Sequence, residues 1–137
     1  MRRWQQMTIA AAIAAVATLS VAQAFAATKQ DYQNEFIEIL EIGPATELKI
    51  NVHGKVSADL DRSLSDLYHS NELQPFWIEN GKPSKRAIDI ISALEDAGSH
   101  GLVATDYYVD WINTYKEGNS VADLVRLDVL LSMGMMH

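Results

Sequence analysis

The chain has 137 residues, enough for one domain and a lead-in, and sets eleven Lys and Arg against eighteen Asp and Glu, a net charge of −7 at pH 7. That balance excludes the basic footprint that DNA, RNA or an anionic lipid surface requires, so no nucleic-acid partner is expected. Cysteine is absent, which excludes a thiolate nucleophile, a thiolate metal site and any disulfide, and leaves packing alone to stabilise the fold.

The first stretch reads as an address. Arg2 and Arg3 precede an apolar run from Met7 to Val21, and small residues then satisfy A-x-A at Ala22-Gln23-Ala24 and at Ala24-Phe25-Ala26. This is the pattern of a cleaved secretory signal over residues 1–26, with cleavage after Ala24 or Ala26. A membrane anchor is the alternative, but a spanning helix needs roughly 20 apolar residues, and Thr8, Thr18 and Ser20 interrupt this shorter run. No stable membrane span is expected after cleavage, and the expected location is periplasmic or extracytoplasmic. Loss of Arg2 and Arg3 leaves nine basic against eighteen acidic residues, a balance of −9.

Residues 27–47 form a lead-in. Tyr32, Phe36, Ile39 and Leu40 recur at helical spacing before Gly43-Pro44 stops them. From Glu47 to Val56 the residues alternate, which predicts one short strand or an extended segment. Ser57 offers an N-cap to a helix with Leu60, Leu64, Leu67 and Tyr68 on one face, and Asn71 is its stop. Pro75 keeps Gln74 extended, and Asn80-Gly81 predicts a turn. Ser84 caps the next helix, or Pro83 occupies its first turn, and Gly98 ends it; Thr105 caps a third, ended by Gly118; Ser120 caps a fourth that carries Leu124, Leu127, Leu130 and Leu131. The expected fold is mainly α: a small helical domain over 48–137 of about four to five helices, with at most one short strand.

Only Asp123, Arg126 and Asp128 interrupt the apolar surface of the last helix. A helix apolar on nearly every side expects neighbours on every side, and the remaining chain looks too small to supply them. The domain therefore reads as truncated, the front part of something longer.

Five pieces in one order carry a resemblance: Leu67-Tyr68, then Pro75 with Trp77, then Gly81-Lys82-Pro83-Ser84, then His100-Gly101-Leu102 with Asp106-Tyr107, then Leu127-Asp128-Val129-Leu130-Leu131. From Leu48 to Met133 the chain resembles the scaffold domain of the YcbB-type, large periplasmic L,D-transpeptidases, which cross-link peptidoglycan. The resemblance implies a helical, non-catalytic scaffold within a longer protein. That protein would also hold a small peptidoglycan-binding module and a mostly β catalytic domain with a His and a Ser/Thr-x-Gly-Cys motif, whose cysteine forms a thioester. No catalytic residue can be carried over to this chain, because it has no cysteine. Gly134-Met135-Met136-His137 also departs from the aromatic-bearing helix with which the family continues.

Candidate contacts are few. Lys82, Ser84, Lys85 and Arg86 gather three cations and a hydroxyl at a helix N-terminus, where a carboxylate or phosphate could rest; the plain alternative is a turn, a cap and a solvated basic patch. Trp77, with Pro75 and Phe76, is an aromatic platform or, more often in such clusters, core. His53, His69, His100 and His137 are scattered without metal-ligand spacing, so neither a metal site nor a cofactor is expected; His100 reads as tying its turn together. Asp128, on an apolar stripe, would face a partner such as Arg126 or Lys116. Met133, Met135 and Met136 read as the end of a severed core helix, through which copies would associate. The expected function is a non-catalytic exported scaffold segment serving peptidoglycan cross-linking and cell wall remodelling, partnered by peptidoglycan or by a missing C-terminal catalytic domain. The alternatives are an independent periplasmic binding or partner protein, and a fragment whose L,D-transpeptidase activity belongs to its parent.

Overall fold

Thr28 sets the first helix. Its hydroxyl accepts from the Asp31 amide at 3.2 Å while the Asp31 carboxylate accepts from the Thr28 amide at 2.7 Å, a reciprocal cap that starts α1 at Lys29–Ile42. The computed structural model describes residues 26–50 and 55–136, with the side chains of 55–57 outside the description. All but the last residue of the expected signal, and His53 and His137, lie outside it.

Pro44 opens the short α2, Pro44–Glu47, and α3 follows at Lys55–Ser70. The strand expected over Glu47 to Val56 is not formed at its described ends: Glu47 closes α2, and Lys55 and Val56 already belong to α3. The alternation has another cause. Leu48 is buried and Ile50 packs against the core, while Lys49 between them stays exposed. Ser57 is likewise inside α3 and does not cap it.

The strands lie elsewhere. β1 (Ile78–Glu79) pairs antiparallel with β2 (Lys82–Pro83), Ile78 opposite Pro83 and Glu79 opposite Lys82. Asn80 and Gly81 join them with φ of 52° and 72°, the paired left-handed conformations of a tight hairpin. Ser84 then caps α4, Lys85–Glu95, its hydroxyl accepting from the Ala87 amide at 3.1 Å.

Two boundaries differ from expectation. Gly98 does not end α4; the chain passes instead through a 3₁₀ turn over Ala97–His100, and Gly101 takes the left-handed position. Thr105 does not cap an α-helix. It lies within a second 3₁₀ turn, Ala104–Tyr107, and α5 begins only at Val109, running to Tyr115. Helix α6, Val121–Met135, is capped by Ser120, whose hydroxyl accepts from the Asp123 amide at 3.1 Å.

α6 is the axis of the molecule. From Leu124 to Gly134 every residue but Arg126 is buried, and α1, α3, α4, α5 and the second 3₁₀ turn all pack on it. The expectation that the chain is too small to cover this helix is therefore corrected. Tyr32, Phe36 and Ile39 of α1 supply the face that the lead-in reading had not assigned to it. Of Met133, Met135 and Met136, the first is fully buried and the last two, at the helix end, are exposed. Among the described residues the fold is mainly helical, as expected, with one two-stranded hairpin.

Candidate functional site

The hairpin and the first turn of α4 bring Trp77, Lys82, Ser84, Lys85 and Arg86 into one neighbourhood but not onto one ligand position. Lys85 donates to Asp89 at 2.8 Å, one helical turn on. The Arg86 guanidinium lies 4.8 Å from the centroid of the Trp77 ring and donates to the Phe76 carbonyl at 3.2 Å. Ser84 is buried, and its hydroxyl serves the cap. Lys82 is exposed on β2. Two of the three cations are thus engaged within the fold, and one face of Trp77 is covered by Arg86.

The denser chemistry lies behind Trp77, on α6. Asp128 is fully buried. Its Oδ1 accepts from the Tyr68 hydroxyl at 2.7 Å and from the Phe76 amide at 3.2 Å, and its Oδ2 accepts from the Trp77 amide at 2.7 Å. Ser132, one turn further along α6, accepts from Trp77 Nε1 at 3.0 Å and lies 2.9 Å from the Tyr68 hydroxyl. The donors resolve in one direction. Tyr68 spends its proton on Asp128, so Ser132 donates to Tyr68 and receives from the indole.

Burial pushes Asp128 up to about 6, against the Tyr68 hydroxyl and the amides of Trp77, Phe76 and Ile78, which pull it down. Burial, with the Asp128 charge beside it, pushes the Tyr68 phenol well above its ordinary value. These groups satisfy one another. The arrangement is a clasp that fastens the segment before the hairpin to α6, not an acid/base pair open to substrate. Phe36 stacks on Tyr68 with ring centroids 4.4 Å apart, and Phe76 tilts against the same tyrosine at 5.4 Å.

Asp128 therefore faces neither of the partners expected for it. Arg126 donates to Glu47 at 2.7 Å and Lys116 to Glu95 at 2.6 Å. His100 sits 3.5 Å from Asp96. Among the described residues no group of three or more His, Asp and Glu is placed to hold a metal ion, and no helix is long and apolar enough to cross a membrane. Tyr68 and Ser132 were not singled out as site residues from sequence, although a serine four residues after an aspartate on an apolar helix is a usable signal.

A family model described as "Scaffold domain" matches residues 62–137, more than half of the chain. The chain belongs to the scaffold domain family found in L,D-transpeptidases. Comparison with curated proteins and with solved structures gave no match. The matched span of this scaffold domain begins inside α3 and takes in Tyr68, the hairpin, Asp128 and Ser132, so the clasp lies wholly within it.

Proposed function

We propose that this scaffold domain is an exported, non-catalytic segment that serves peptidoglycan cross-linking by positioning a catalytic partner. The observation that carries the reading is a scaffold-family match on a chain without a single cysteine. An acyl-enzyme chemistry that runs through a thiolate has no nucleophile here. The buried clasp supports it further: Tyr68, Asp128 and Ser132 tie the segment before the hairpin to α6, which lends the rigidity that a positioning element needs. The signal-like first 26 residues and the mature balance of −9 are in keeping with an extracytoplasmic life.

The test is to incubate the purified full chain with sacculi, alone and together with a cysteine-bearing catalytic domain of an L,D-transpeptidase. Alone it yields no new cross-linked muropeptide; added to the catalytic domain it binds and raises cross-linked product. Cross-links formed by the chain unaided, or no binding and no effect on the catalytic domain, would overturn the proposal.

A further inference from the structure

One side of the hairpin carries a cleft that the clasp does not use. It has a volume of about 400 Å³ and lies between β2, α4 and the turn after α5. Its apolar lining is Pro83, Ile88 and Ile91; Ile91 is buried, while Ile88 is a large aliphatic side chain left 54% exposed. Four charged residues line the same cleft. Glu95 and Lys116 neutralise each other at 2.6 Å. Lys82 and Glu117 make no ion pair with any described residue, so the cleft presents one free cation and one free anion beside an aliphatic surface.

We propose that this cleft binds a short zwitterionic peptide through one aliphatic side chain on Ile88 and Ile91, with its carboxylate at Lys82 and its ammonium at Glu117. The volume is at the small end of ligand sites, the size of a few residues. Other ligand classes fit the lining poorly. A sugar ring expects an aromatic face, and no aromatic residue lines the cleft. A phosphodiester would meet Glu95 and Glu117 with one free lysine to hold it. An amphipathic helix needs a longer apolar track than two isoleucines provide. The inference stands independently of the proposed scaffold role.

The test is a titration of the isotope-labelled full chain, followed by backbone amide resonances, with the tripeptide Ala-Leu-Ala carrying free ends and with its N-acetylated and C-amidated forms. Free tripeptide shifts the resonances of Ile88, Ile91 and Lys116 saturably. Each blocked form binds about threefold more weakly, the scale of one exposed ion pair. Lys82→Gln removes the response to amidation and Glu117→Gln the response to acetylation, while Ile88→Lys abolishes binding. All three variants change exposed side chains, and an unchanged melting transition confirms their fold. Absence of saturable shifts at about 10 mM peptide, far weaker than ordinary specific binding, would sink the proposal. So would equal affinity for free and blocked peptides, or shifts confined to another surface.

Discussion

The Tyr68 hydroxyl sits 2.7 Å from Asp128 Oδ1 and 2.9 Å from Ser132 Oγ, joining α3 to α6 across 60 residues of sequence. The same carboxylate holds the amides of Phe76 and Trp77. One aspartate thus fixes a helix crossing and the approach to the hairpin together. Tyr68→Phe keeps the stacked rings and removes only the hydroxyl, leaving a buried carboxylate oxygen short of its best donor; the expected loss is about 1–3 kcal/mol. Asp128→Ala orphans the hydroxyl and both amides at once and should cost more than Tyr68→Phe. Chemical denaturation of the two variants checks the order. If Asp128→Ala is the milder change, the clasp is not what fastens the hairpin.

The same aspartate makes stability depend on pH. Its folded-state value of about 6 lies above the ordinary 3.8 because burial disfavours the charge, so the folded protein holds this proton more tightly than the unfolded chain does. The stabilisation from that proton is fully present below the ordinary value and is lost as pH rises through about 6. At 1.36 kcal/mol per pKa unit, the change is about 3 kcal/mol. Asp61, also raised by burial, acts with the same sign. Asp31, held down by its hydrogen bond to the Thr28 backbone, and Glu72, held down by Lys29, act with the opposite sign from exposed positions. Denaturation of wild type and Asp128→Asn between pH 4 and 7.5 isolates the term: the wild type loses stability with rising pH relative to the variant, and the difference levels off above 7. A constant difference across that range would show that Asp128 does not titrate there.

The sequence made local features legible and distant pairings illegible. Ser84 and Ser120 cap helices as their positions predict, and Asn80-Gly81 makes the predicted turn, because each acts within three or four residues. Asp128 could be seen to lie on an apolar stripe, but its partners sit 51 to 60 residues away, and no periodicity encodes which element will cross α6 there. The nearer cations Arg126 and Lys116 were the natural expectation, and both are held by glutamates. The same limit explains the misread last helix. Its apolar girth was plain, while the covering face of α1 came from a segment that read as lead-in. In the site, the residues around Trp77 read as an aromatic platform or, more often, core; its side chain is partly buried, and its indole N–H partner, Ser132, lies 55 residues away in sequence.

Gly118 marks where α5 turns into α6. A methyl group placed there would lie 2.5 Å from the Asp123 Cβ and 2.9 Å from its Cγ, inside the turn that Ser120 caps. Gly118→Ala must push the first turn of α6 aside, and an overpacked contact of this kind costs about 1–3 kcal/mol. Ser120→Ala, which removes the cap without crowding, should cost about 1 kcal/mol. Melting temperatures of the two variants, with Gly118→Ala the lower, check the contact. A Gly118→Ala protein as stable as wild type would mean the turn has slack.

Glu47 and Arg126 tie α2 to α6 at 2.7 Å, each with about a quarter of its side chain exposed. The hydrogen bond to Glu47 raises the Arg126 pKa further, yet the pair is only part-buried, so water and salt still reach it and weaken its net gain. A double-mutant cycle with Glu47→Gln and Arg126→Met should give a coupling of about 0.2–1 kcal/mol. Methionine is the right partner variant because it retains much of the apolar stem that arginine lays along the helix. At 1 M salt, where the screening length falls to about 3 Å, the coupling should shrink toward zero. A coupling above about 2 kcal/mol that survives such salt would place this pair with the buried, desolvated interactions. The Asp128 clasp would then no longer be the dominant polar tie to α6.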